Sequence, residues 1–195
     1  FGEVFDLAAE ARMRLSREEA RAAREGIQVR AILPQSLPFQ GDREGLMLAL
    51  RNLVANAIDW SPRGGRVEVR IANEGQAIVV VVDDQGPGVP ESERERIFLP
   101  FERGRTQPNG RAGYGLGLAL VRTVADLHQG TVGVGSSPLG GASFRLELPY
   151  PSEAEPGLPA ADASDEILPV PPPPADRSAA RASARSLEPR VPGRR

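Results

Sequence analysis

Apolar positions recur at helical spacing in three stretches of this chain. From Asp6 to about Glu25, Leu7, Ala11 and Leu15 share one face of a segment otherwise rich in Ala, Arg and Glu, and Gly26 offers a helix end. From Asp42, a good N-cap, a stripe of Leu46, Leu50, Leu53, Val54, Ala57 and Ile58 runs until Pro62 and the Gly64-Gly65 pair stop it. A third helix is predicted from Gly115 to His128, carried by Leu116, Ala119, Leu120, Val124 and Leu127. Between these, alternation with a period of two marks strands. Ile27, Val29 and Ala31 line one face of a strand over 27–33, which Pro34 and Pro38 stop. Val67, Val69 and Ile71 alternate with charged residues, the chain turns through Asn73-Glu74-Gly75-Gln76, and it returns as the apolar run Ala77 to Val82. That second strand is apolar on both faces, which predicts a central place in the sheet. Gly130 opens two further strands joined by Ser137-Pro138-Leu139-Gly140-Gly141, the last reading Phe144, Leu146, Leu148.

Past Pro149 no apolar periodicity survives. The chain turns to Pro, Ala, Ser and Arg, with an unbroken proline run from Pro171 to Pro174. The expected organisation is therefore one domain over 1–150 and a disordered tail over 151–195. With 24 basic and 26 acidic residues spread along it, the chain has a formal charge of −2 and no basic face that would bring nucleic acid or an anionic membrane. Every basic residue is Arg, which excludes lysine chemistry. There is no Cys and one His, so disulfides, thiolate nucleophiles and multi-histidine metal sites are excluded too. The longest apolar run, Ala77 to Val82, is too short to span a bilayer, and no leader opens the chain, so a cytoplasmic domain is expected.

Three polar clusters interrupt the apolar pattern. Asn52 and Asn56 sit one turn apart, so both amides leave one face of an otherwise apolar helix. Such a pair reads as surface amides or as neutral oxygen ligands for a magnesium ion whose other ligands come from phosphates and water. Asp84-Gln85-Gly86-Pro87-Gly88 follows the central strand. Asp and Gly are ordinary turn residues there, but a carboxylate held in a cleft can also accept from an exocyclic amine while the glycines let a flat base approach the backbone. Gly113-Tyr114-Gly115-Leu116-Gly117 leads into a helix start, where free N–H groups and the positive dipole end favour phosphate. Between the last two clusters, Glu102 to Ala112 is polar and carries Arg103, Arg105 and Arg111, as a solvated loop does, or a lid that brings guanidinium groups to phosphates.

In this order, and with Ile97-Phe98-Leu99-Pro100-Phe101 between the second and third, the clusters strongly resemble the N, G1, F and G2 boxes of histidine kinase catalytic domains. The resemblance covers about Phe5 to Pro149. It includes Leu53-Val54-Ala55-Asn56-Ala57 before Ser61-Pro62, the stretch Gly115-Leu116-Gly117-Leu118-Ala119-Leu120-Val121, and the ending Gly141-Ala142-Ser143-Phe144. It implies the Bergerat fold, an α/β two-layer sandwich with a mixed sheet and helices on one face, compatible with the element order read above. It implies ATP and Mg2+ as cofactors. Asn56 would hold the metal and Asn52 would assist near the phosphates, while Asp84 would recognise the adenine amine and Gly86 and Gly88 would shape the base pocket. Gly113, Tyr114, Gly115, Leu116 and Gly117 would bring backbone to the phosphates, Arg103 would contact a phosphate, and Phe98 and Phe101 would anchor the lid. His128 matches a packing position at the end of the third helix, not the phosphoacceptor.

The implied activity is transfer of the ATP γ-phosphoryl group to a histidine on a dimerisation domain upstream of Phe1, with relay to a response-regulator receiver domain. The implied assembly is a homodimer in the full-length protein. The sequence departs from the family pattern at Asp59, where many members carry Lys or Arg, and at Tyr114, which replaces a small hydroxyl residue. Three other functions fit some of the same residues: an anti-sigma-factor-type serine kinase, a Bergerat-fold ATPase and a non-catalytic nucleotide-binding module. The ATPase reading conflicts with Asn52, an amide where a proton-accepting Glu is required.

Overall fold

The structure, a computed structural model, describes residues 2–102 and 115–150. The chain enters as β1 (Glu3–Asp6) and α1 (Leu7–Glu25), continues through β2 (Gln28–Ile32) and β3 (Pro38–Gly41) to α2 (Arg43–Trp60), and makes the hairpin of β4 (Arg66–Asn73) and β5 (Ala77–Asp83). Two short 3-10 turns, Glu91–Glu93 and Arg96–Phe98, lie between β5 and α3 (Gly117–Leu127), and β6 (Thr131–Ser136) and β7 (Ala142–Pro149) close the domain.

Aspartates start two of the helices. Asp6 accepts from the Ala9 N–H at 3.0 Å and Asp42 from the Gly45 N–H at 3.1 Å, each satisfying a donor that the first turn leaves open. Gly26 ends α1 at φ 74°, a left-handed cap that takes Gly without cost. The main sheet has the order β2-β4-β5-β7-β6, with β2 parallel to β4 and every other pair antiparallel. It is a mixed sheet, and β5 is its middle strand. The inward side chains of β4, β5 and β7 (Val67, Val69, Ile71, Ile78, Val80, Val82, Phe144, Leu146, Leu148) form one core with the apolar stripes of α1, α2 and α3. This two-layer α/β arrangement is the expected fold class.

The differences from expectation lie at the margins. Pro38 does not merely stop a strand; it opens β3, which pairs antiparallel with β1 as a separate two-stranded ribbon. Both strands are only four residues long, too short to show a period in the sequence. Ala31 is exposed, because β2 is an edge strand. The third helix begins at Gly117, not Gly115, and its buried residues are Ala119, Val121, Val124 and Ala125, whereas Leu116 and Leu127 are exposed. Ala125 of α3 and Ala49 of α2 are both fully buried, and the two helices pack against each other. Among the described residues, no helix is long and apolar enough to cross a membrane.

Candidate functional site

The middle strand ends by delivering Asp84 into the protein. Asp84 is 2 % exposed, and its Oδ1 accepts from the Gly86 N–H at 2.8 Å and the Ala142 N–H at 2.9 Å. Its backbone is tied to the same turn, with its N–H donating to Ala142 O at 3.0 Å and its carbonyl accepting from Gly141 at 3.1 Å. Burial pushes the carboxyl above the usual carboxylate range, the Ala142 and Gly86 N–H groups pull it back, and neighbouring Asp83 adds to the rise. Asp83 is itself buried, and its Oδ1 has no hydrogen-bond partner among the described residues.

Gly141 makes this geometry possible. A Cβ there would lie 2.1 Å from Asp84 Oδ1 and 2.5 Å from the Gly86 nitrogen, so no other residue lets the β6–β7 turn close on the carboxylate. In the sequence Gly141 is the last residue of the turn between two strands, and Ala142 belongs to the run that resembles the family's ending. The signal that could have found them was the paired glycines at a hairpin tip, whose close approach to a distant Asp only the fold reveals. Gly86 packs against the carbonyl of Trp60, 2.9 Å from where its Cβ would be, which brings the loop after β5 to the last turn of α2. Gly88 has φ 72° and faces the Gly141 carbonyl.

Asn52 and Asn56 occupy the same helix two turns and one turn before that contact. Both are half-buried, and Asn52 Nδ2 donates to the Leu48 carbonyl at 2.8 Å, which turns Oδ1 toward the start of α3. There a Cβ on Gly117 would lie 3.0 Å from Asn52 Oδ1. The residues thus form one connected line, Gly117 to Asn52, along α2 past Asn56 to Trp60, then Gly86, Asp84 and Gly141. The stretch of α2 between Asn52 and Trp60 rises about 12 Å, a span of nucleotide size.

Unlike α1 and α2, α3 has no side-chain cap: Leu116 occupies the N-cap position without a hydrogen bond from its side chain. Among the described residues no side chain caps the N–H groups of its first turn, which lie at the positive end of the helix. Just before it, Phe101 N–H donates to the Gly115 carbonyl at 3.0 Å, and Gly115, at φ 70°, has room for no side chain because Glu102 O would meet its Cβ at 2.7 Å. Arg96 pairs with Glu102 at 3.0 Å beside this junction. Phe98 is buried and packs edge-on against Phe144, with ring centroids 6.3 Å apart. Phe101, expected to anchor the lid as well, is 74 % exposed with φ 63°, and among the described residues its backbone N–H bond to Gly115 makes the junction. Arg103, Gly113 and Tyr114 lie outside the described residues.

Asp59 is paired with Arg21 of α1, its Oδ1 accepting from Arg21 Nη2, so the unexpected carboxylate has a cation beside it. His128 occupies the packing position expected of it. Its Nδ1 donates to the Val124 carbonyl at 2.8 Å, which leaves Nε2 to accept from the Asp42 N–H at 3.0 Å, and its ring lies 6.0 Å from that of Phe39.

Over residues 41–152 the chain matches the family described as histidine kinase-, DNA gyrase B-, and HSP90-like ATPase. It is 41 % identical over 141 residues to the sensor-like histidine kinase SenX3 of Mycobacterium tuberculosis, a match that covers 72 % of this chain and 34 % of SenX3. The chain therefore spans about a third of that curated relative's length. The crystal structure of the ATP binding domain of PrrB from Mycobacterium tuberculosis superimposes with a TM-score of 0.60 at 33 % identity, covering 77 % of this chain and 98 % of that one. Histidine kinase ThkA in its complex with the response regulator protein TrrA gives a TM-score of 0.64 at 25 % identity, covering 76 % of this chain and 41 % of that one.

Proposed function

The chain belongs to the histidine kinase-, DNA gyrase B-, and HSP90-like ATPase family, and we propose that it is the ATP-binding catalytic domain of a sensor histidine kinase. In this reading it transfers the γ-phosphoryl group of ATP to a histidine on a dimerisation domain, for relay to an aspartate of a response regulator. The observation that carries the reading is the connected line from the uncapped start of α3, past two amides, to the buried carboxylate.

Each part has work that its chemistry suits. Asp84 spends Oδ1 on two backbone N–H groups, so Oδ2 is the oxygen that accepts from the exocyclic amine of adenine. Gly86 and Gly88 let the base lie against backbone. The open N–H groups of Gly117 and its neighbours receive phosphate oxygens, with Gly113, Tyr114, Gly115 and Leu116 leading the chain to them. The amide oxygens of Asn56 and Asn52 are neutral, hard donors on one helix face, a set that fits a magnesium ion sharing its coordination with phosphates and water. Asn56 would hold that ion and Asn52 would assist; when bound, the ion neutralises charge on the phosphates. Arg103 would add a guanidinium at the γ-phosphate.

Phosphoryl transfer then needs little covalent help. A nitrogen of the acceptor imidazole attacks the γ-phosphorus as the bond to the β,γ-bridging oxygen breaks, and ADP leaves. Asn52 favours this over hydrolysis. Its amide is bound to the Leu48 carbonyl and cannot take a proton from an attacking water, as an ATPase of this superfamily requires.

Calorimetry tests the reading. The chain binds Mg-ATP in the micromolar to millimolar range, and Asp84→Ala and Asn56→Ala each weaken binding by roughly tenfold or more. Equal binding by all three proteins would refute it.

A further inference from the structure

His128 closes α3 at the end away from the proposed phosphate site, and its imidazole is bonded through both nitrogens. Nδ1 donates to the Val124 carbonyl of its own helix at 2.8 Å, and Nε2 accepts from the Asp42 N–H at 3.0 Å. Asp42 is the N-cap of α2: its carbonyl accepts from the Leu46 N–H at 3.0 Å and its side chain from the Gly45 N–H at 3.1 Å. The ring is therefore fastened to the residue that starts the helix carrying Asn52 and Asn56. Gly41 permits this approach, because a Cβ there would lie 2.7 Å from Nε2, and Phe39 packs beside the imidazole with ring centroids 6.0 Å apart.

At the other end of the same helix pair, Gly117 of α3 meets Asn52 of α2, where a Cβ on Gly117 would lie 3.0 Å from Asn52 Oδ1. The stretch of α2 from Asp42 to Asn52 rises about 15 Å and the 11 residues of α3 about 16 Å, so the two helices run antiparallel and in step between these contacts. Between them α3 buries Ala119, Val121, Val124 and Ala125, apolar groups whose burial has no preferred direction. The bond to Asp42 is directional, and its length tolerates about half an ångström, so it defines where along α2 the helix sits. Gly130 holds the chain past His128 against β7 independently, since a Cβ there would lie 2.2 Å from the Glu147 carbonyl oxygen. The imidazole adds the link to α2, not the link to the sheet.

We propose that His128 is a positioning residue for the phosphates: through the Asp42 N–H it sets the register of α3 on α2, and so the spacing between the first-turn N–H groups of α3 and the amides of Asn52 and Asn56. The proposal rests on the nucleotide-binding reading of that end of α3. It separates the two halves of the ligand. Asp84, Gly86 and Gly88, which that reading assigns to the base, stand at the end of β5 and in the loop after it, so a shift of α3 reaches phosphate affinity and leaves base affinity alone. Misplacement of about 1 Å by a change far from the chemistry is enough to cost roughly a hundredfold in rate, so a contact at the far end of a stiff helix is felt at the near end.

The test is calorimetry of the 195-residue chain with Mg-ATP and, separately, with adenosine. His128→Leu fills the space but offers the Asp42 N–H no acceptor, and is expected to bind Mg-ATP about tenfold more weakly with adenosine affinity unchanged, which also shows that the variant folds. His128→Gln brings an amide oxygen within reach of the Asp42 N–H, and is expected to bind Mg-ATP within about threefold of the unaltered chain. Gly41→Ala keeps the histidine but puts a methyl 2.7 Å from Nε2, and is expected to show the same selective loss as His128→Leu. Three results overturn the proposal while leaving the kinase reading intact: His128→Leu binding Mg-ATP as tightly as the unaltered chain, a parallel loss of both ligands in His128→Leu and Gly41→Ala, or His128→Gln losing as much as His128→Leu. An unaltered chain that binds neither ligand overturns both.

Discussion

At the scale of single residues, Asp84 holds opposing electrostatic influences. Burial lifts its carboxyl above the ordinary carboxylate range, the Ala142 and Gly86 N–H groups oppose the lift, and Asp83 adds to it. Both backbone bonds fall on Oδ1, so a proton taken up on acidification goes to Oδ2 and turns the proposed adenine acceptor into a donor. Base binding is therefore complete at pH values well above the raised pKa and is lost as pH falls through it. Adenosine is the right probe because it has no phosphate to titrate. Its affinity for the unaltered chain is expected to fall as pH drops through the raised carboxyl pKa, while that for Asp84→Asn stays low and flat. A parallel decline in both proteins would remove Asp84 from base recognition. Folding responds with the opposite sign. An acid whose folded pKa is raised contributes stability that is full below its unfolded pKa and lost as pH rises through the folded one, so binding and stability pull this residue in opposite directions.

At the scale of elements, Asp6 shows the reverse case. Partial burial pushes its pKa up, but hydrogen bonds from Ala9, Leu37 and Ser36 outweigh that and hold the carboxyl below its usual range. One side chain caps α1 and fastens the segment before β3, the Leu37 N–H donating to it at 3.1 Å. Asp6→Ala is expected to cost about 1–2 kcal/mol in urea unfolding, with the m-value unchanged. The deficit is present above the unfolded carboxylate pKa and closes as pH falls through the lowered folded value, where the native aspartate also loses its charge. The Asp42 cap, the β4–β5 hairpin and the buried stripe of α2 were legible in the sequence because each depends on neighbours close along the chain. What escaped was set at a distance. The β1–β3 ribbon pairs segments over thirty residues apart, and the Gly141 contact with Asp84 joins two hairpin ends. Asp59 stands in the sequence as a departure from the family pattern, and the Arg21 that pairs with it comes from α1.

At the scale of the whole molecule, the question is where a phosphoryl group could go. The chain has one histidine, and its imidazole is committed on both sides: Nδ1 to the Val124 carbonyl in α3, Nε2 to the N–H of Asp42 at the start of α2. Gly41 packs so tightly against that ring that a Cβ would lie 2.7 Å from Nε2. To act as a nucleophile, His128 would have to abandon the bond that joins α3 to the start of α2, and an in-line phosphate would need space that the Gly41 backbone fills. Asn52 meets Gly117 at the opposite end of α3, so the proposed phosphate site and the imidazole are separated by the 11 residues of that helix, about 16 Å. The chain incubated with γ-labelled ATP is therefore expected to acquire no acid-labile, base-stable label, and His128→Gln to behave identically. An added dimerisation-domain hairpin with an exposed histidine is expected to become labelled, and Asn56→Ala to abolish that labelling with the fold intact by circular dichroism. Label on the chain itself that disappears in His128→Gln would make the packing histidine an acceptor. Label on neither protein, with Mg-ATP bound, would instead favour a nucleotide-binding module without transfer activity.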